Sequence, residues 1–380
     1  MALHHVMLKT LFVFGTRPEA IKLAPVIAAL RARPEEFETV VCSTGQHREM
    51  LVQALETFGL KPEIDLDLMQ PDQKLPDLTA SLMLRIGESL ALTRPDRVIV
   101  QGDTTTAFVA ALAAYYAQVP VAHVEAGLRS QDRNNPFPEE INRRLIGAIA
   151  DIHFAPTPDA VAALAAENIA PASIYMTGNT SVDALLAISK RLNMPDGPAL
   201  LSASVRAMGE STQPLILVTC HRRESFGEDM AAICRALKRI AISHPHHQIV
   251  FPMHFNPNVR AQAVPLLGGQ SNISLLDAVS YPELVYLLSR AVLALSDSGG
   301  LQEEALSLGV PVLVLRRKTE RPEGIAAGIA WLVGADEEQI VKRADEILAL
   351  RGPPAKLRVG NPYGDGSASK KIVDILAQAP

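Results

Sequence analysis

The sequence predicts an α/β protein built from two Rossmann-like parallel-sheet domains that face a common interdomain cleft. Three observations predict it. Short apolar strands alternate with amphipathic helices, which is the βαβ pattern of a parallel sheet. The pattern runs twice, with the polar, Gly- and Pro-punctuated passage "GPALLSASVRAMGESTQP" at 197–214 before the second run. The chain has 380 residues, more than one ordinary core serves.

The elements follow in order. "TLFVF" (10–14) leads into a helix over 18–31, and "TVVCS" (39–43) into a helix over 48–58. "RVIVQ" (97–101) precedes "TTTAFVAALAAYYA", and "VPVAHV" (119–124) precedes a polar loop and a helix over 139–150. "IHFAP" (152–156) and "SIYMTG" (173–178) close the first run. The second run is "LILVTC" (215–220), "QIVFPM" (248–253), "ISLL" (273–276), "VLALS" (292–296) and "PVLVL" (311–315), each separated by helical sequence. The seam falls near 177–183. The expected domains are therefore 1–178 and 179–362. A last helix within 363–380, after the "NPYGDG" turn, is expected to pack back on the first domain.

Ligands of open parallel sheets sit outside the C-terminal ends of the strands. The polar sequence gathers there: "GTRPEA" (15–20), "TGQH" (44–47), "QGDTTT" (101–106), "HVEAGLRS" (123–130), "CHRRES" (220–225), "MHFNPN" (253–258) and "SDSGG" (296–300). Strand ends from both domains converging on one cleft would hold a substrate between them.

Bulk numbers exclude several classes. The net charge is −5 and aromatics are 4%, so neither a nucleic-acid surface nor a base-stacking platform is expected. No apolar run approaches a membrane span, and the start lacks the pattern of a signal peptide. Cys42, Cys220 and Cys234 show no paired spacing and read as reduced thiols of a cytoplasmic protein. No Gly-x-Gly-x-x-Gly follows the first strand and no Gly-Lys-Ser/Thr occurs, so dinucleotide redox chemistry and ATP hydrolysis lose their usual signals. The histidines at 4–5 and 244–247 lack metal-ligand spacing, and no metal is expected.

What is left is a set of acids and bases at strand ends. Asp103 follows a buried strand and reads as a proton-transfer group or as the N-cap of the next helix. Glu125 ends an apolar strand just ahead of a glycine, Gly127, where capping explains it less well. Glu139 and Glu140 stand in the first turn of a helix, where the dipole favours carboxylates. His221 ends a strand beside Arg222 and Arg223, as a diphosphate-side group or a structural histidine. Ser298, Gly299 and Gly300 form a strand-to-helix junction whose free N–H groups suit a phosphate, and Glu304, one turn on, suits the two hydroxyls of a ribose. The first half reads as proton-transfer machinery and the second as a diphosphate clamp.

The ordered motifs "FGTRPEAIKLAPV", "TGQHREML", "QGDTTTAFVAALAA", "HVEAGLRS", "PFPEEINRR", "ADIHFAPT", "HRRES", "DSGGLQEEALSLGVPVLVLR" and "TERPEG" closely resemble the non-hydrolysing UDP-N-acetylglucosamine 2-epimerases of bacteria. The resemblance implies a GT-B-like fold and the interconversion of UDP-GlcNAc and UDP-ManNAc for cell-surface polysaccharide synthesis. It implies anti elimination of UDP, an enzyme-held 2-acetamidoglucal, and re-addition after reprotonation on the opposite face. No cofactor is expected, because no hydride moves. Asp103, Glu125, Glu139, His221 and Lys22 match catalytic positions of the family; either direction's base stays open among the carboxylates. Arg17, His254, Ser298, Gly299, Gly300, Glu304 and Arg321 match its UDP-binding positions. Gln46, His47, Gln73, Glu140 and Arg222 match a second, activating UDP-GlcNAc site. A homodimer is expected.

Two positions depart from the family pattern. Glu49 stands where an uncharged polar residue is expected in regulated relatives, and a carboxylate near a diphosphate would weaken activation. Ser225 replaces the usual asparagine. Three rivals share part of the pattern: a GT-B glycosyltransferase, a hydrolysing 2-epimerase and a non-catalytic nucleotide-sugar sensor, and within the epimerase reading the substrate is open to other UDP-2-acetamido sugars. A glycosyltransferase would not need three carboxylates beside the sugar.

Overall fold

The computed structural model describes residues 7–45, 48–68, 73–220, 227–253, 257–350 and 361–378. The chain divides into two compact units, Met1–Ala184 with Tyr363–Pro380, and Leu185–Pro362.

The first unit is a doubly wound sheet. Its elements are β1 (Leu8–Phe14), α1 (Arg17–Arg31), β2 (Phe37–Ser43), α2 (Arg48–Thr57), β3 (Ile64–Asp65), α3 (Leu75–Thr93), β4 (Arg97–Gln101), α4 (Thr105–Tyr116), β5 (Val121–Val124), α5 (Glu139–Ile149), β6 (Ile152–Ala155), α6 (Pro158–Ala166), β7 (Ile174–Met176) and the start of α7 (Thr180–Leu192). Among the described residues the strands lie parallel in the order β3-β2-β1-β4-β5-β6-β7. Helices cover both faces, so the central strands are apolar throughout. Leu11 to Phe14 of β1 and Val98 to Val100 of β4 are all fully buried. Each such side chain contributes roughly 1.5–3 kcal/mol on burial. The strand order reverses between β1 and β4, which opens a crevice at their C-terminal ends. "GTRPEA" and "QGDTTT" therefore emerge side by side.

The second unit repeats the plan. It comprises α8 (Ala203–Glu210), β8 (Leu215–Thr219), α9 (Glu228–Ser243), β9 (Gln248–Pro252), α10 (Pro257–Leu267), β10 (Ile273–Leu276), α11 (Tyr281–Leu288), β11 (Ala291–Ser296), α12 (Gly299–Ser307), β12 (Val312–Val314), α13 (Pro322–Ala326), β13 (Ala330–Leu332) and α14 (Glu337–Leu348). The parallel order is β10-β9-β8-β11-β12-β13. The switch point lies between β8 and β11, so "SDSGG" opens beside the end of β8. One apolar layer, centred on Ile233, Leu237, Phe251 and Ile340, covers one face. A second, with Leu217, Leu287 and Val314, covers the other.

The last helix, α15 (Ala368–Leu376), packs against α1 of the first unit. Asp183 accepts the backbone N–H groups of Ala368 and Ser369 at 3.2 and 2.8 Å. Both parallel sheets read from the sequence are present. The sequence reading gave no place to β3 or β13. β3 has two residues and β13 only three, too short to show a periodicity.

Candidate active site

In the first unit the β1 and β4 ends are tied together by Glu19. Its carboxylate accepts the N–H groups of Gly15 and Thr16 at 3.1 and 2.8 Å, the Thr16 hydroxyl at 2.7 Å and the Thr104 hydroxyl at 2.7 Å. Burial pushes the Glu19 carboxyl up from its ordinary value, against the opposing pull of those donors. Arg17, half-buried, is the first residue of α1, directly inside this clasp.

Thr104, not Asp103, caps α4: its hydroxyl accepts the Ala107 N–H at 3.0 Å. The capping reading of Asp103 is thereby displaced by one residue. Asp103 is instead gripped by α5. Arg143 Nε and Nη2 both reach Asp103 Oδ2, at 2.8 and 2.7 Å, and Asn142 Nδ2 donates to the Asp103 carbonyl at 2.9 Å. Both Arg143 contacts fall on Oδ2, and the Asp103 side chain keeps 26% exposure. Glu139, half-buried, begins the same helix. One rigid element thus carries Glu139 and fixes Asp103.

Glu140 is fully buried. Arg143 Nη1 lies 3.0 Å from its Oε2, the Ser130 N–H donates to the same oxygen at 2.9 Å, and Arg144 Nη2 lies 3.2 Å from Oε1. The side chain orders the 128–135 loop against α5. Gln73, half-buried, stands two residues ahead of α3.

Glu125 closes the group. It follows β5 in a left-handed conformation, φ 64°, which costs a non-glycine residue roughly 1 kcal/mol or more and persists only where the surroundings enforce it. Lys22 Nζ lies 2.6 Å from Glu125 Oε1, and both side chains are buried. Gln101 donates to Oε2, and Asn179 Nδ2 to Oε1 at 3.3 Å. A Cβ built on Gly102 would stand 3.9 Å from Glu125 Oε2, so the carboxylate lies beside the residue that precedes Asp103. Two residues on, Gly127 has φ 93°, and a Cβ there would overlap the Ala160 carbonyl. Only glycine permits that approach. Beneath the site, His123 Nε2 donates to the Gly102 carbonyl at 2.7 Å, and burial pushes its pKa down to about 3. It is a neutral structural prop.

In the second unit Ser298 caps α12, its hydroxyl accepting the Leu301 N–H at 3.4 Å. Gly299 and Gly300 form the first turn. A Cβ on Gly300 would meet nothing within 4 Å, whereas one on Gly299 would come within 2.5 Å of Arg321 Nη1. The adjacent glutamates of α12 point to different partners. Arg321 Nε lies 2.6 Å from Glu303 Oε1, and its Nη1 pairs with Glu320, which in turn lies 2.8 Å from Arg316. Glu304 accepts the Tyr281 hydroxyl at 2.9 Å. Arg321 therefore lies along the glycine turn, within a buried charge network.

His221, His254, Gln46, His47 and Arg222 lie outside the described residues, as do Ser225 and the side chain of Glu49. Among the described residues no three His, Cys, Asp or Glu side chains gather as a metal site. Sequence reasoning missed Glu19, Gln101, Arg143 and Asn179. Each makes a contact distant in the chain; Arg143, one turn after Glu139, and Glu19, the N3 residue of the Thr16 capping box, also carried a local signal.

The first unit offers carboxylates held by fixed cations and amides, groups of the kind that move protons. The second offers a helix N-terminus open at Gly300, of the kind that holds an anion. The sequence profile of the UDP-N-acetylglucosamine 2-epimerase family matches residues 28–377. A UDP-N-acetylglucosamine 2-epimerase of Escherichia coli K12 is 47% identical over 370 residues, covering 97% of this chain and 98% of that protein. The crystal structure of a Neisseria meningitidis UDP-GlcNAc 2-epimerase bound to UDP-GlcNAc superposes with TM-score 0.91 at 42% identity, over 98% of this chain and 100% of the other. A Methanocaldococcus jannaschii UDP-GlcNAc 2-epimerase, solved with UDP-GlcNAc and UDP, gives 0.85 at 34% identity, over 98% and 100%.

Proposed function

Since the chain belongs to the UDP-N-acetylglucosamine 2-epimerase family, we propose that it interconverts UDP-GlcNAc and UDP-ManNAc by inverting carbon 2. The observation that carries this is the cluster at the ends of β1, β4 and β5, where Lys22, Gln101 and Asn179 converge on Glu125 beside the Asp103 loop.

The chemistry explains why such a cluster is needed. The hydrogen on carbon 2 has no neighbouring carbonyl to acidify it. It leaves as the C1–O bond breaks, and the bond's electron pair departs with UDP. A base takes the proton and 2-acetamidoglucal forms. An acid on the opposite face then returns a proton to carbon 2 while a UDP oxygen rejoins carbon 1. The proposed acid and base groups are Asp103, Glu125, Glu139 and His221, with Lys22 neutralising Glu125. The proposed UDP site is Arg17, His254, Ser298, Gly299, Gly300, Glu304 and Arg321, with the α12 N-terminus set toward the diphosphate. Holding the leaving anion is as important as the proton step, because charge builds on UDP in the transition state. The route transfers no hydride and so calls for no nicotinamide.

The finer features belong to the same proposal. A regulatory UDP-GlcNAc would use Gln46, His47, Gln73, Glu140 and Arg222, weakened by Glu49. Tyr115, Tyr116, Leu84 and Leu92 are exposed on the packed pair α3 and α4, which suits a homodimer contact. No helix among the described residues is long and apolar enough to cross a membrane. Cys42, Cys220 and Cys234 are free thiols, which suits a cytoplasmic enzyme supplying polysaccharide precursors. The test is to incubate the protein with UDP-GlcNAc and follow the anomeric signals. UDP-ManNAc should appear up to a fixed ratio; an unchanged substrate would reject the function.

A further inference from the structure

Asn179 stands where the chain leaves the first unit. It is buried, 2% exposed, and immediately precedes α7, the helix that carries the chain across the division after Ala184. Both ends of its amide are engaged. Oδ1 accepts the Ser181 N–H at 2.9 Å, an N-cap bond. A carbonyl oxygen must make that bond, which leaves the NH2 group facing Glu125, 3.3 Å from Oε1. The backbone is fixed as well: the Asn179 N–H donates to the Tyr363 carbonyl at 2.7 Å, and at Gly178, φ 91°, a Cβ would stand 3.2 Å from that same carbonyl. The outgoing and returning passages of chain are thus bonded to each other at the residue that touches Glu125.

We propose that Asn179 is a positioning residue of the reaction: it couples the start of α7 to the Glu125 carboxylate and aims Oε1. The proposal rests on the reading of Glu125 as an acid/base group. Lys22 and Asn179 share Oε1 and approach from different elements, α1 and α7. Lys22 has a flexible four-carbon stem, whereas the Asn179 amide is short and locked by its cap. The direction of the carboxylate is therefore set by two amides, Asn179 on Oε1 and Gln101 on Oε2, and its charge is balanced by the lysine.

The test uses Asn179→Asp and Asn179→Ser, since both replacements keep an N-cap oxygen for α7. The first sets a carboxylate against Glu125; the second removes the donor. With rates taken per folded enzyme, Asn179→Asp should lower kcat at least about tenfold, the order expected when a lost hydrogen bond becomes a like-charge contact. Asn179→Ser should lower it several-fold. KM should stay close to wild type in both, and the melting temperature close to wild type in Asn179→Ser; Asn179→Asp should melt lower, because it buries a carboxylate beside Glu125. In a Glu125→Gln background, Asn179→Ser should cause little further loss, because groups acting through one another are non-additive. Wild-type kcat in both variants, or losses that multiply with Glu125→Gln, would overturn the proposal. If Asn179→Asp does not fold, Asn179→Ser and the double variant decide. A Glu125→Gln enzyme with wild-type kcat would instead overturn the reading of Glu125, and this inference with it.

Discussion

Lys22 and Glu125, 103 positions apart in the chain, form a buried ion pair with 2.6 Å between Nζ and Oε1. Removing one member of such a pair leaves a buried charge uncompensated and typically costs about 3–5 kcal/mol. Lys22→Met should therefore lower both the melting temperature and turnover, the latter at least tenfold. Calorimetry and initial rates on the same preparation check it. A variant that melts and turns over like wild type would mean that Glu125 is not held charged by Lys22.

Asp103 and Glu139 are joined through α5, by Arg143 on Asp103 and by Glu139 at the helix start. Asp103→Asn and Glu139→Gln should each reduce turnover by about a hundredfold or more, as loss of a general acid or base does. UDP affinity, measured by titration calorimetry, should be preserved. Near-normal turnover in either variant would reassign that residue to the support of the loop.

On the second unit, Glu304→Gln keeps an acceptor for the Tyr281 hydroxyl but removes the charge. It should weaken UDP binding by about 1–3 kcal/mol, the worth of a charge-assisted hydrogen bond. Gly299→Ala should also weaken it, because the added methyl displaces Arg321 from the turn. Arg321→Ala is a poorer probe: it strips the guanidinium from buried Glu303 and Glu320, so instability would precede any loss of UDP. Unchanged UDP affinity in both Glu304→Gln and Gly299→Ala would leave the glycine junction as a turn alone.

Stability should fall on the acid side for a definite reason. Burial pushes the His123 pKa down to about 3, and lowers that of His153 also. Between the ordinary histidine value and that depressed one, the unfolded chain binds a proton that the folded chain refuses. Stability from neutral His123 is complete above about pH 6.5 and is lost as pH falls toward 3, at up to about 1.4 kcal/mol per pH unit. His123→Gln, which can still donate to the Gly102 carbonyl, should show a shallower fall of melting temperature between pH 6.5 and 4. Parallel curves for the two proteins would remove His123 as the cause.

The fold was legible because central parallel strands are apolar on both faces. "TLFVF", "RVIVQ" and "VLALS" announce themselves as buried runs, while β3 and β13 are too short to do so. Glu125 was legible as a carboxylate stranded between an apolar strand and a glycine. Its partners were not, since Lys22, Gln101 and Asn179 come from three other segments and no local spacing relates them. Asp103 shows the same limit. The sequence offered two roles for it, and only the adjacent Thr104 hydroxyl on Ala107 and Arg143 on the carboxylate separate them. In the pair Glu303–Glu304 the sequence singled out Glu304 for the ribose, but the partners that hold the two apart, Arg321 on Glu303 and Tyr281 on Glu304, come from distant segments.

The central claim is that carbon 2 is inverted by proton transfer through solvent-exchangeable groups while UDP is detached. The most direct measurement is incubation with UDP-GlcNAc in deuterated water, followed by NMR of the sugar. The account predicts UDP-ManNAc carrying deuterium at carbon 2, with no build-up of free sugar. UDP-ManNAc that keeps its original hydrogen, or free ManNAc accumulating in step with UDP, would contradict it.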